Sequence, residues 1–292
     1  MDYILTPVRE EEIASFVAEA NSIIKNDHDK WHKFVNSRKF FVSDIPDIDP
    51  TSRHYFDFQM DLWKLVSGRR LYSAEYCEAN NNLDHVKGIC DFFPFVTKSN
   101  QEISNYFIAV ASILKNIERP APASILEFGV GWGHTARFLS NCGYRVVAVD
   151  IEKRFLSLLP DYSLIGSVPI VPMCTSFNDF SHVDESFDCV IFFECFHHCI
   201  DHIELLNRLH GLLKPKGQII FCAESFYDDW FDFPWGVRLD GHSVWAIRNF
   251  GWMELGFRKA YILDVLTKLG FNVRFSKVDG IGSYGEFCIA TI

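Results

Sequence analysis

The chain has 292 residues, 48% of them hydrophobic and 15% aromatic, with 38 acidic against 28 basic residues and a net charge of -10. At about 150 residues per domain the length suggests two modules, and the acidic balance argues against a nucleic-acid partner without a local basic patch. No apolar run approaches the ~20 residues of a membrane span, and the acidic start MDYILTPVREEE does not read as a signal peptide. Nine cysteines without framework spacing read as free thiols of a reducing compartment, so a cytoplasmic globular protein is expected.

Residues 1–118 are helical and aromatic in grain, and are expected to form an amino-terminal extension or cap. Thr6-Pro7 predicts an N-cap and first-turn proline for a helix with Ile13, Phe16, Val17, Ala20 and Ile24 on one face. The loop SDIPDIDP ends it. A second helix is predicted over 52–66, carrying Tyr55, Leu62 and Val66. An irregular stretch follows, 72–95, with the run Asn80-Asn81-Asn82. A third helix over 101–117 aligns Ile103, Tyr106, Val110, Ile113 and Ile117, and RPAPA then breaks the chain.

From 119 to 292 the pattern is of consecutive βα units. Strands are predicted at 124–128 (SILEF), 144–150 (YRVVAVD), 169–173 (PIVPM), 187–193 (FDCVIFF) and 218–224 (QIIFCAE), with KPKG read as a turn before the last. Near-continuous apolar strands joined by helices imply a doubly wound α/β fold with a mostly parallel sheet. After a helix near 257–269, NVRFSKV and GEFCIATI are linked closely enough to pair antiparallel at one edge, which makes seven strands. The segment 225–256 interrupts this pattern as an insert.

After SILEF the chain reads Glu127-Phe128-Gly129-Val130-Gly131-Trp132-Gly133. Alternate glycines let a backbone turn tightly and approach a ligand. The dinucleotide fingerprint G-x-G-x-x-G requires a glycine where His134 stands. Glu127 would repel a pyrophosphate and pair with a cationic amino group. Asp150, seventeen residues beyond Gly133 at the end of the next strand, suits a pair of ribose hydroxyls. A ligand joining a nucleoside to a cationic amino acid answers both.

With these motifs the chain resembles the class I S-adenosylmethionine-dependent methyltransferases, well over 124–224 and in outline over 257–292. The resemblance implies their Rossmann-like fold and cofactor. It places Glu127, Gly129, Gly131, Gly133, Asp150 and Ile151 at the cofactor, with Glu194 and Tyr106 near its methionine end. Where the family usually has an aspartate reading the adenine amino group, this chain has Ser176 followed by Phe177. The backbone N–H of Phe177 is the expected substitute.

For the chemistry, His197 and His198 stand just past the fourth strand, at the edge where ligands bind in open α/β sheets. Either suits general-base work at neutral pH, or the pair shapes the pocket. The flanking Cys195 and Cys199 give C-x-H-H-C, whose spacing matches no closed zinc site, and His28 and His32 read as a solvated helix face, so no metal ligands are assigned. The insert holds Trp230, Trp235, Trp245 and Trp252 among charged residues, and His242 is a further candidate base. It suits an aromatic lid over an acceptor, or tryptophans packing onto the amino-terminal helices. Its string PWGVRLDGHSVWAIRNFGWMELGF resembles segments of methyltransferases that accompany bacterial surface-polysaccharide enzymes. The expected activity is therefore methyl transfer to a hydroxyl, by preference of a saccharide or glycoconjugate. The alternatives are a small-molecule O- or N-methyltransferase and a non-catalytic cofactor-binding protein.

Overall fold

The computed structural model describes residues 3–79, 99–157, 159, 168–177, 179, 183, 185–229 and 233–292. The asparagine run at 80–82 and Trp230 lie outside the described residues. The chain forms two compact units, Met1–Asn80 with Ser225–Ile262 and Asn81–Glu224 with Leu263–Ile292.

The first unit opens with β1 (Ile4–Pro7), α1 (Glu10–Ile24), α2 (His28–Asn36) and β2 (Arg38–Phe41). Thr6-Pro7 does not cap α1. Both residues lie in β1, paired in parallel with Phe40 and Phe41, and the N-cap is Arg9. A strand partner beyond two helices is a signal that local helix punctuation does not carry. The stripe Ile13, Phe16, Val17 and Ala20 is buried, and three glutamates in the first turn of α1 complement the helix dipole. α3 (Arg53–Ser67) starts where Ser52 accepts the Tyr55 N–H at 3.2 Å, stops at Gly68 and is followed by the short α4 (Ala74–Cys77).

The second unit begins with α5 (Asn100–Asn116), capped by Ser99. Then come β3 (Ser124–Phe128), α6 (His134–Asn141), β4 (Arg145–Asp150), α7 (Lys153–Leu156), β5 (Ile170–Cys174), β6 (Phe187–Phe193), α8 (His202–Leu212) and β7 (Leu213–Cys222). KPKG follows the end of α8 as expected, with Leu213 between. It bulges out within β7, between Leu213 opposite Phe187 and Gln218 opposite Cys189. Lys214 there reaches Asp188 at 2.7 Å.

The chain next enters its insert, with β8 (Phe226–Tyr227), β9 (Trp235–Val237), α9 (Gly241–Phe250) and β10 (Leu255–Arg258). These belong to the first unit, and their aromatic residues supply its core. Trp235 lies 5.2 Å from the Tyr55 ring and donates to the Pro50 carbonyl, while the Tyr55 hydroxyl donates to the Trp235 carbonyl, both at 2.7 Å. Trp245 donates to Asn21 at 2.7 Å, and Trp63 donates to the Trp252 carbonyl at 3.1 Å. Half-buried Arg238 is held by Asp240 at 3.1 Å and Glu254 at 3.5 Å. Each indole with a polar partner inside the fold gains burial without stranding its N–H.

α10 (Lys259–Lys268), β11 (Asn272–Lys277) and β12 (Glu286–Thr291) complete the chain, and the division between the units falls inside α10. The main sheet runs β11-β12-β7-β6-β3-β4-β5. The strand running against the others is β12, one in from the edge, paired antiparallel to both β7 and β11. From β3 the order runs outward through β4 to β5 and then resumes at β6 on the other flank of β3. The carboxyl ends of β3 and β6 therefore border a topological switch point, where open α/β sheets bind ligands. Among the described residues, no helix is long and apolar enough to cross a membrane.

Candidate active site

The glycine-rich turn after β3 adopts left-handed backbone at Gly129, Gly131 and Gly133. At Gly129 the need is doubled, because a Cβ there would come within 2.5 Å of the Cys195 Cβ. A Cβ on Gly131 would meet nothing within 4 Å, so the turn faces open space there. Asp150 fixes the turn from the end of β4, its carboxylate accepting from Gly131 N at 2.9 Å and Glu152 N at 2.8 Å. Burial raises the proton affinity of Asp150, against which these two N–H groups work.

Glu127 is 3% exposed, and its Oε2 has no hydrogen-bond partner among the described residues. Burial, with the charge of Asp150, pushes its carboxyl up to about 8. An orphaned carboxylate oxygen of this kind is costly unless a cation meets it. Around it, Tyr106 stacks on Phe193 with ring centroids 5.1 Å apart and meets the His134 ring edge-on at 5.8 Å. Tyr284, which the sequence reading did not single out, lies 6.0 Å from Tyr106 and hydrogen-bonds Glu194. A buried carboxylate bordered by aromatic faces suits the ammonium and sulfonium of S-adenosylmethionine. Together with the open turn at Gly131, the residues present fit that cofactor.

The remaining expected cofactor residues lie at neighbouring strand ends. Ile151 is half-buried and its carbonyl accepts from Cys174 Sγ at 3.7 Å. The Phe177 ring lies 5.9 Å from Phe128 and 6.3 Å from Phe192, and the Ser176 carbonyl accepts from Asp179 N at 3.4 Å. Glu194 is exposed and its φ is +53°, matched by +57° at Ala223, just past the end of β7. Non-glycine residues held in this region mark a turn that the surrounding structure imposes.

The turn at Glu194 leads into a short 3-10 helix, Phe196–His198. It is clasped by Glu224, which follows β7 and which the sequence reading missed. Glu224 Oε1 accepts from Cys195 N at 2.8 Å and Phe196 N at 2.9 Å, while Oε2 accepts from His197 N at 3.2 Å and lies 2.8 Å from His197 Nδ1. Burial raises the proton affinity of this carboxyl, but His197 and the backbone N–H groups outweigh it and hold the carboxyl below its usual range. The His197 and His198 rings are 4.4 Å apart. Cys195 and Cys199 are buried, and burial pushes both thiols well up. His242 stands in the first unit, 5.6 Å from the Trp31 ring and 6.4 Å from Trp245.

Comparison with known proteins follows the same lines. Residues 126–221 match the family described as a methyltransferase domain. An uncharacterised methyltransferase of Oceanobacillus iheyensis is 23% identical over 137 residues, 45% of this chain and 61% of the relative, so the chain spans about three fifths of that protein's length. A ubiquinone biosynthesis O-methyltransferase of Xanthomonas axonopodis is 27% identical over 105 residues, 36% of this chain and 44% of the relative. Among solved structures, a chain from the complex between the Haloferax volcanii Trm112 methyltransferase activator and a methyltransferase superposes with a TM-score of 0.52 at 13% identity, covering 65% of this chain and 90% of that one. That likeness is one of fold. Motifs, sheet order and relatives agree on a methyltransferase domain at residues 126–221, set in a Rossmann-like fold.

Proposed function

We propose that the chain methylates a hydroxyl acceptor, with His197 removing the proton of the acceptor. When bound, S-adenosylmethionine supplies a methyl group on a positively charged sulfur, open to in-line displacement. Glu127 binds the amino-acid end through its charge, and Asp150 with the glycine turn holds the nucleoside end. The observation that carries the hydroxyl reading is the His197–Glu224 contact of 2.8 Å. A hydroxyl must lose its proton as it is methylated, and a histidine backed by a carboxylate is suited to take it.

Among hydroxyls, a saccharide is the preferred acceptor, supported by the resemblance of 234–257 to segments of methyltransferases that accompany bacterial surface-polysaccharide enzymes. The packing of Trp235 and Trp245 into the first unit leaves that resemblance, rather than free aromatic faces, as its support. A phenolic hydroxyl is the second reading, favoured by the relative named a ubiquinone biosynthesis O-methyltransferase. The test is transfer of labelled methyl from S-adenosylmethionine to monosaccharides, nucleotide sugars and simple phenols, with the product bond identified by mass spectrometry. A methyl ether on a sugar is expected. Transfer to phenols alone selects the second reading, and tight cofactor binding with no transfer to either contradicts both.

A further inference from the structure

The clasp around residues 195–197 does more than shape a turn. Three of the four contacts to Glu224 are backbone N–H groups, which can only donate whatever the state of the carboxyl. The fourth contact, to His197 Nδ1, is the one whose direction depends on a proton that either partner could carry. The Glu224 side chain is 1% exposed, and a carboxylate is buried this deeply only when paired and hydrogen-bonded. An ionised carboxylate has no proton to give, so the 2.8 Å contact requires the hydrogen to sit on Nδ1 of the imidazole. In a neutral ring the Nε2 lone pair is then free to accept a proton.

We infer that Glu224 is a positioning residue that locks His197 in its Nδ1–H form, so that His197 Nε2 is the atom that takes the acceptor's proton. The inference rests on the hydroxyl-methylation reading for its consequence in turnover, but not for the tautomer itself. Proton balance is simple. The acceptor O–H bond breaks, the proton passes to Nε2, and the resulting imidazolium faces the Glu224 carboxylate as an ion pair. The methyl group moves to the acceptor oxygen, and the electron pair of its bond to sulfur stays on sulfur.

The experiment is long-range proton–nitrogen NMR of the histidine rings in the full chain labelled with nitrogen-15, with His197 assigned by its absence in His197→Ala. Wild type is expected to show the Nδ1–H form at His197. In Glu224→Gln the amide oxygen can still accept the Cys195 and Phe196 N–H groups, while the amide nitrogen donates to Nδ1. His197 is then expected to switch to the Nε2–H form, which a residue with only a structural role would not cause. The Nε2–H form in wild type, or an unchanged tautomer in a folded Glu224→Gln protein, overturns the inference. Full turnover by His197→Ala removes the base reading of His197 and leaves the tautomer result standing, so the two failures are told apart.

Discussion

Two buried carboxylates end strands of the same sheet, and they have opposite environments. Glu224, past β7, has both oxygens engaged and a depressed proton affinity. Glu127, at β3, has an oxygen without a partner among the described residues and a proton affinity raised to about 8. The difference teaches what each is for. A satisfied carboxylate acts on the protein, here on residues 195–197, whereas we propose that the orphaned one is completed by the ligand. Their effects on stability have opposite signs. The folded state of Glu224 binds its proton more weakly than the unfolded chain does, so its contribution is present above the ordinary glutamate range and is lost as pH falls. Glu127 binds its proton more tightly when folded, so its contribution is complete in acid and is lost as pH rises through about 8.

The largest expected effect is kinetic. His197→Ala should lower kcat by about 10²- to 10⁴-fold, the span of general-base catalysis, with cofactor affinity unchanged in a calorimetric titration. Glu224→Ala should cost about 3 to 5 kcal/mol of stability in urea unfolding, because buried backbone donors lose their acceptor. Glu127→Ala should leave the ligand-free protein as stable as wild type or more so above about pH 8, and a loss as large as that at Glu224 would erase the contrast. Asp150→Ala should weaken S-adenosylhomocysteine binding by about 1.5 to 3 kcal/mol, through lost ribose contacts and a freed Gly131 N–H. Smallest is Trp245→Phe, which removes one hydrogen bond to Asn21 and should cost about 1 kcal/mol in the same unfolding assay.

The same contrast explains what was legible in the sequence. SILEF and FDCVIFF coincide with β3 and β6, because buried parallel strands are written as local apolar runs. Glu127 was legible because its offset from the glycines is a local spacing. Glu224 was not, since its partners lie 27 to 29 residues earlier and meet it only once β6 and β7 are paired. Nothing in FCAES marks that carboxylate except its place after a strand beside the histidine pair. β1 escaped for a similar reason, its pairing with β2 being non-local. The tryptophans of 225–256 read from composition as a lid or as packing, and the indole hydrogen bonds of Trp235 to Pro50 and Trp245 to Asn21 show those two packed within the first unit.

The most direct test of the account is titration of the full chain with S-adenosylmethionine from about pH 6 to about pH 9, for wild type and Glu127→Gln. Because the cation of the ligand favours ionised Glu127, wild-type affinity should rise as pH climbs from about 6 toward about 8, with proton release on binding at the lower end, and should stop rising once the ligand's own α-amino group loses its proton. Glu127→Gln should bind more weakly and lack the rise. Wild-type affinity independent of pH, or equal binding by the variant, would contradict the claim that the orphaned carboxylate of β3 is completed by the cofactor.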